Sequence, residues 1–244
     1  MRWCIAGTVV CLCLIMGCAS VRSGEGNAMA GKELFFEDFS KGINNWWVEG
    51  GQKVWVADGR LHVKADPDRK KGEKGHGVAT VWCKTEFPAD IEVAFDAHVL
   101  SSSRDVNNIN FFLSYSDPSG KPLFESRADR ADGKYGKYHK LNGHIVTYLK
   151  DGGNKKNAGT GKGRIRIRHC PGFKLLNEAF DYECEQGKTY HVVIKKLGNE
   201  ISVDVDGKFQ CKATDPDPQG PGLIGCRTYC TYLWWDNIKV TALR

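Results

Sequence analysis

The chain has 244 residues, with 35 Lys and Arg against 29 Asp and Glu, a net charge of +6 and 41% hydrophobic residues. That length suits a domain with a sizeable core, and the small positive excess leans toward acidic partners without selecting one. No CxxC pair and no His/Cys cluster has zinc spacing, so the sequence predicts no metal ligands and no cofactor, with only a structural calcium ion left open.

The chain opens on "MRWCIAGTVVCLCLIMGC", one Arg followed by an apolar run from Cys4 to Met16. The run is too short to cross a bilayer and reads as a signal peptide over residues 1–17. Ile15-Met16-Gly17-Cys18 resembles a bacterial lipobox, although Met16 is bulkier than the usual Ser or Ala; ordinary cleavage near "CAS" or "AMA" is the alternative. The resemblance implies a lipid on Cys18, a flexible Gly/Ser/Ala-rich tether over 18–32, and a domain over 33–244 held at the bacterial cell envelope. Such a protein would meet the membrane only through its anchor, and export argues against a nucleic-acid partner. Six cysteines remain in the domain, and they permit fifteen pairings; Cys170 with Cys184, closing a loop around "PGFKLLNEAFDYE", is the preferred one.

Within the domain, short alternating or apolar runs recur between turn residues: "ELFFEDF", "KVWVA", "RLHVKA", "VATVWCKT", "IEVAFDAHVL", "NINFFLSYS", "HIVTYLK", "RIRIRHC", "TYHVVIKKL", "EISVDVDG", "KFQCKA", "GLIGCR" and "LWWDNIKVTAL". Helical periodicity is almost absent. About a dozen strands in this length predict an all-β fold, a jelly-roll β-sandwich. "ADG" at Ala57–Gly59 and "VDGK" at Val205–Lys208 read as hairpin turns. Two polar loops, Asp66–Gly77 and Lys150–Gly163, carry several lysines or arginines with glycine.

Alternation then sorts side chains between core and outer face. Ile91, Val93, Phe95, Ala97 and Val99 point inward, leaving Asp96 and His98 outside. Ile109, Phe111, Leu113 and Tyr115 point inward, leaving Asn110, Phe112 and Ser114 outside. Val81 and Cys83 go in, whereas Thr80 and Trp82 come out. In "HIVTYLK", Ile145 and Leu149 are assigned to the core and His144, Tyr148 and Lys150 to the outside. "RIRIRHC" buries Ile165 and Ile167 and shows Arg164, Arg166 and Arg168 together.

The C-terminal pattern of "EISVDVDGK", "GLIGCRTY" and "WWDNIKV" resembles the closing strands of bacterial concanavalin/LamG-like jelly rolls, with Asp236-Asn237 tying down a turn. A narrower resemblance rests on "WWVEGG", "VWCKTEFP", "INFFLSYS", "YHKLNGHIVTYL", "RIRHCPGFKL" and "GLIGCR". These fall in the same order in an uncharacterised bacterial jelly-roll family, one member of which sits among rhamnogalacturonan-degradation genes. The resemblance implies a role in polysaccharide utilisation. That family has Asn-Leu-Arg where this chain has Arg166-Ile167-Arg168, so only Arg168 matches, and Arg164 and Arg166 read as charges that keep an edge strand soluble.

An outer face with aromatic rings and arginine forks suits an acidic polysaccharide or oligosaccharide, the rings stacking on sugars and the forks holding carboxylates or sulfates. Trp82, Asn110 and Phe112 are the expected substrate-binding residues, joined by Lys174 in "RIRHCPGFKL" and Arg227 closing "GLIGCR". His139, His144, Tyr148 and Arg168 form the expected catalytic set for β-elimination from a uronic acid: a base, an acid and a positive group. The alternatives are a glycan-binding lipoprotein without catalysis, a glycoside hydrolase, and an enzyme of 3-keto-glycosides. Hydrolysis lacks the Glu-x-Asp-x-x-Glu strand of jelly-roll glycosidases; Glu92 and Asp96 share a face without supporting residues.

Overall fold

The computed structural model describes residues 1, 30–68, 70, 77–103, 106–150, 163–181 and 183–244. The apolar leader, Cys18, nearly all of the tether and most of the two polar loops lie outside the described residues. Among the described residues, no helix is long and apolar enough to cross a membrane.

Among the described residues fifteen strands, β1 to β15 in chain order, form two antiparallel sheets. One sheet runs β13 (Lys208–Thr214), β12 (Glu200–Val205), β11 (Thr189–Leu197), β6 (Ile91–Ser102), β15 (Thr231–Ala242), β4 (Arg60–Lys64) and β3 (Lys53–Ala57), with β1 (Glu33–Glu37) also paired to β15. The other runs β10 (Lys174–Ala179), β9 (Arg164–Cys170), β8 (Asn142–Leu149), β7 (Ile109–Ser116), β14 (Leu223–Tyr229), β5 (Val78–Cys83) and β2 (Trp46–Gly50). This is the expected all-β jelly-roll sandwich.

The inner faces meet in one main core. The predicted inward residues of β6 are all in it, and Phe95 stacks on Phe111 of the opposite sheet at 4.9 Å. Each such ring or aliphatic side chain contributes roughly 1.5–3 kcal/mol by leaving water. Asp236-Asn237 lies inside β15, at an irregularity where the strand changes partner from β4 to β1. Asn237 takes φ 51° there and donates to Asp96 Oδ2 at 2.8 Å.

The outer face of the seven-stranded sheet is covered as well. Residues 117–141 fold over it and build a second core, in which Leu123, Tyr138 and Leu141 pack on Trp47, Trp82, Phe112, Tyr115 and Ile145. The covering segment is held by the buried Glu49 carboxylate. That group accepts from Trp47 Nε1 at 3.1 Å, Trp82 Nε1 at 3.0 Å and the Tyr138 hydroxyl at 2.8 Å, and pairs with Arg130 at 3.0 Å. Arg130 also donates to the carbonyl of Leu123 at 2.6 Å. Gly133 lets the segment's backbone approach β2: a Cβ there would stand 3.1 Å from the Glu49 carbonyl, and φ is 64°.

Several sequence-derived placements change as a result. Trp82 and Phe112 do leave the main core, but both are 0% exposed because the segment lies on them. A ring packed on every side offers no platform to a sugar. Tyr115 belongs to the second core, since the ladder slips between Leu113 and Ser116, where Ser114 takes φ 55°. In β8 the faces are reversed: Val146 and Tyr148 sit in the main core and Ile145 in the second. With apolar groups on both sides of "HIVTYL", polarity gives alternation nothing to read. The described cysteines are all free. Cys170 lies in the second core and Cys184 in the main one, so the expected pair is separated by the sheet itself.

Candidate functional site

A row of polar side chains crosses the outer face of the seven-stranded sheet, each directly opposite the next: Arg166, Thr147, Asn110, Arg227, Thr80 and Glu49. The adjacent row is Arg168, Ile145, Phe112, Gly225, Trp82 and Trp47. Strand alternation therefore sets a line of charge and hydrogen-bonding groups beside an aromatic floor. Gly225 is what lets that floor close. A Cβ there would lie 2.7 Å from the Trp82 ring.

One turn of helix, Tyr135–Tyr138, ends at His139 and hangs over the row. The Arg227 guanidinium lies 4.2 Å from the centre of the Tyr135 ring and 5.5 Å from that of Tyr138, a cation–π cage. Asn110 Nδ2 donates to the Tyr135 hydroxyl at 3.4 Å. His139 stands edge-on to Tyr135, at 4.5 Å between ring centres, and stacks on Phe173 at 3.8 Å. Phe173 in turn lies under the Arg168 guanidinium at 4.1 Å, and its carbonyl accepts from Arg168 Nη1 at 3.1 Å. The backbone closes the group: Gly172 N donates to the His139 carbonyl at 2.9 Å.

The electrostatics of this group are unusual. Arg227 is 2% exposed, yet among the described residues no carboxylate pairs with it, and its Nε and Nη1 have no hydrogen-bond partner. Asn110 Oδ1, His139 Nε2, Arg166 Nε and Arg168 Nε are likewise buried without partners. Burial lowers the pKa of Arg227. Burial, with Arg164 and Arg168 on either side, pulls Arg166 down to about 10. His139 is pulled down to about 4 by burial first and then by the charges of Arg227 and Arg168, so it is neutral near pH 7.

Of the expected site residues, the structure brings His139, Asn110, Arg168 and Arg227 together, with Phe112 in the floor beneath. Tyr148 is excluded: it is 2% exposed in the main core, and its hydroxyl donates to the Glu183 carbonyl at 2.7 Å. His144 is excluded as well, being 0% exposed on the inner face of β8, 2.6 Å from Asp215. Lys174 is exposed on the edge strand opposite His169, off the row. Tyr135, Phe173, Arg166 and Thr147 were missed. Tyr135 and Phe173 lie close in sequence to "YHK" and "RIRHC", but only the covering segment and the turn after β9 bring them to the row.

An antiparallel jelly-roll sandwich whose outer sheet face carries a covered arginine row is the class that fold and site define. The chain belongs to the family described as a domain of unknown function (DUF6250), whose model matches residues 73–238. No curated protein sequence matches it. Among solved structures it is similar to a Bacillus subtilis protein of unknown function with a galectin-like fold, at TM-score 0.70 and 18% identity over 87% of this chain and 97% of that one. It is also similar to the carbohydrate-binding module CBM66 from Bacillus subtilis, at TM-score 0.56 and 12% identity, covering 82% of this chain and 97% of that one. The β-glucanase of Bacillus licheniformis aligns at TM-score 0.52 and 12% identity over 85% and 97% of the two chains. At these identities the likeness is one of fold.

Proposed function

We propose that the chain is a carbohydrate-active protein that takes a negatively charged saccharide on the arginine row, with a carboxylate or sulfate seated on Arg227. The observation that carries this reading is a buried guanidinium that, among the described residues, has no counter-ion. Burying a charge unpaired costs several kcal/mol, and an acidic ligand supplies the missing partner. Arg166 and Arg168 extend the positive line, and the Asn110 carbonyl oxygen is free to accept a sugar hydroxyl. The carbohydrate-binding and glucanase names among proteins of this fold make a saccharide the natural class of acid. Calorimetric titration with acidic oligosaccharides, pectic, alginate-type and sulfated, beside their neutral counterparts tests it. Binding confined to the acidic members is expected; equal binding of neutral ones contradicts the reading.

A second reading, β-elimination from a uronate, is favoured by His139. A neutral imidazole with an unpartnered Nε2 is equipped to take the C5 proton. The C5–H electron pair becomes the C4=C5 double bond, the C4–O bond breaks, and the departing oxygen takes a proton from the Tyr135 hydroxyl. Arg227 and Asn110 hold the carboxylate as charge develops on it. Ultraviolet absorbance of an unsaturated uronate reports turnover, and His139→Ala should lose turnover while keeping binding. If neither form produces that absorbance, the site is a binding site only. Lipid attachment at Cys18 is a separate proposal, supported by the lipobox-like residues; Cys18→Ala should move the protein from the membrane to the soluble fraction.

A further inference from the structure

At one edge of the sandwich, away from the arginine row, three potential metal ligands converge. His144 on β8 and His169 on β9 are direct cross-strand partners facing the other sheet. Asp215 follows β13, the edge strand of that other sheet, and its amide is tied to the Asn199 carbonyl at 2.8 Å. Its Oδ2 lies 2.6 Å from His144 Nε2 and 2.9 Å from His169 Nδ1, while Oδ1 accepts from Asp217 N at 3.1 Å. The three residues are 0%, 8% and 1% exposed.

We propose that His144, His169 and Asp215 bind one divalent transition-metal ion of the zinc type, which clamps the edges of the two sheets together. Two imidazole nitrogens and one carboxylate oxygen form a donor set with a fourth position open to water. Bonds of about 2.0–2.1 Å in a tetrahedral site place donor atoms roughly 3.3 Å apart; here Asp215 Oδ2 stands 2.6 and 2.9 Å from the two imidazole nitrogens, and all three donor atoms lie within 4.8 Å of one another. His169 is the more open of the two histidines, its side chain 10% exposed against 0% for His144. Its outward Nε2 stands 4.0 Å from the exposed Asp217 carboxylate, an acceptor placed to orient a metal-bound imidazole. Gln219 Nε2 lies 3.5 Å from His169 Nδ1, at the mouth of the trio. The nearby cation, Lys196, directs its ammonium to the carbonyls of Ala89 and Gln219 at 2.9 and 2.7 Å rather than to the trio. Because the ligands come from both sheets, binding energy becomes folding energy.

The test uses the intact protein after dialysis against a chelator. Cobalt(II) should produce visible d–d bands that saturate at one ion per chain, and zinc should erase them and raise the thermal midpoint. His169→Ala and Asp215→Asn should each weaken uptake by at least about a hundredfold and cancel the zinc-dependent rise. A wild-type protein that takes up no cobalt and melts identically with and without zinc overturns the proposal. So does a cobalt spectrum that survives both substitutions.

Discussion

The outer face of the eight-stranded sheet carries polar pairs that water reaches: Lys195 with Glu92 at 2.9 Å, Lys212 with Glu200, and the His191 ring with the Asp96 carboxylate at 2.7 Å. The outer face of the seven-stranded sheet holds Arg227, Thr147, Asn110 and Thr80 at 3% exposure or less, beneath a covering segment. On the first face these pairs are reached by solvent, and β11 and β12 alternate cleanly between buried and open positions. On the second, β7 and β8 are buried on both sides. Selection for stability alone would fill a covered face with apolar groups. The polar row there is destabilising when unpaired, and the proposed acidic ligand would offset it.

That contrast breaks most directly at the anchor of the covering segment. Glu49→Ala strands the buried Arg130 charge, two indole N–H groups and the Tyr138 hydroxyl, and should lose stability toward the upper end of about 3–5 kcal/mol. Glu92→Ala on the solvated face, whose partner Lys195 is 49% exposed, should cost about 0–1 kcal/mol. Urea denaturation compares them, and equal losses would erase the distinction between the faces. Trp82→Ala comes next, at about 3–5 kcal/mol, because the ring is core and not platform. A stable Trp82→Ala protein that loses only glycan binding would restore the platform reading.

Smaller effects sharpen the row itself. Arg168→Lys keeps the charge but loses the planar fork, and should weaken binding of an acidic glycan by about ten- to a hundredfold, corresponding to roughly 1.5–3 kcal/mol. Lys174→Ala, off the row, should leave affinity nearly unchanged. Equal effects would mean that net charge, not the row, captures the ligand. The row also sets a pH dependence. Unfolded His139 titrates near 6.5 and folded His139 near 4, so the unfolded chain takes up this proton first as pH falls. Its contribution to stability is full above 6.5, declines through the window and is lost below about 4. His139→Gln should flatten the stability profile between those values.

Much of the fold was legible because β6, β9 and β11 alternate in a sequence where one face is wet or charged. "RIRIRHC" separated its arginines from its isoleucines correctly for the same reason. "HIVTYL" was not legible, since a strand buried on both faces presents no polarity contrast; His144 and Tyr148 were misassigned there. Trp82 and Phe112 were placed on the right side of the sheet and the wrong side of the surface. Nothing in their own strands announces residues 117–141 lying above them. His144 and Asp215 are 71 residues apart, and His169 and Asp215 are 46 apart, so the trio at the sandwich edge has no local spacing to read.

On the proposed function, Arg227 is buried for a ligand and not for the fold. Arg227→Met tests it by two quantities measured on one protein. Replacing an unpaired buried charge with an apolar side chain of similar length should raise stability by about 1–4 kcal/mol. The same substitution should lower affinity for an acidic oligosaccharide by about tenfold or more. Opposite movement of thermal midpoint and affinity is the predicted result. A variant that melts earlier while binding the acidic glycan as well as the wild type would contradict the account.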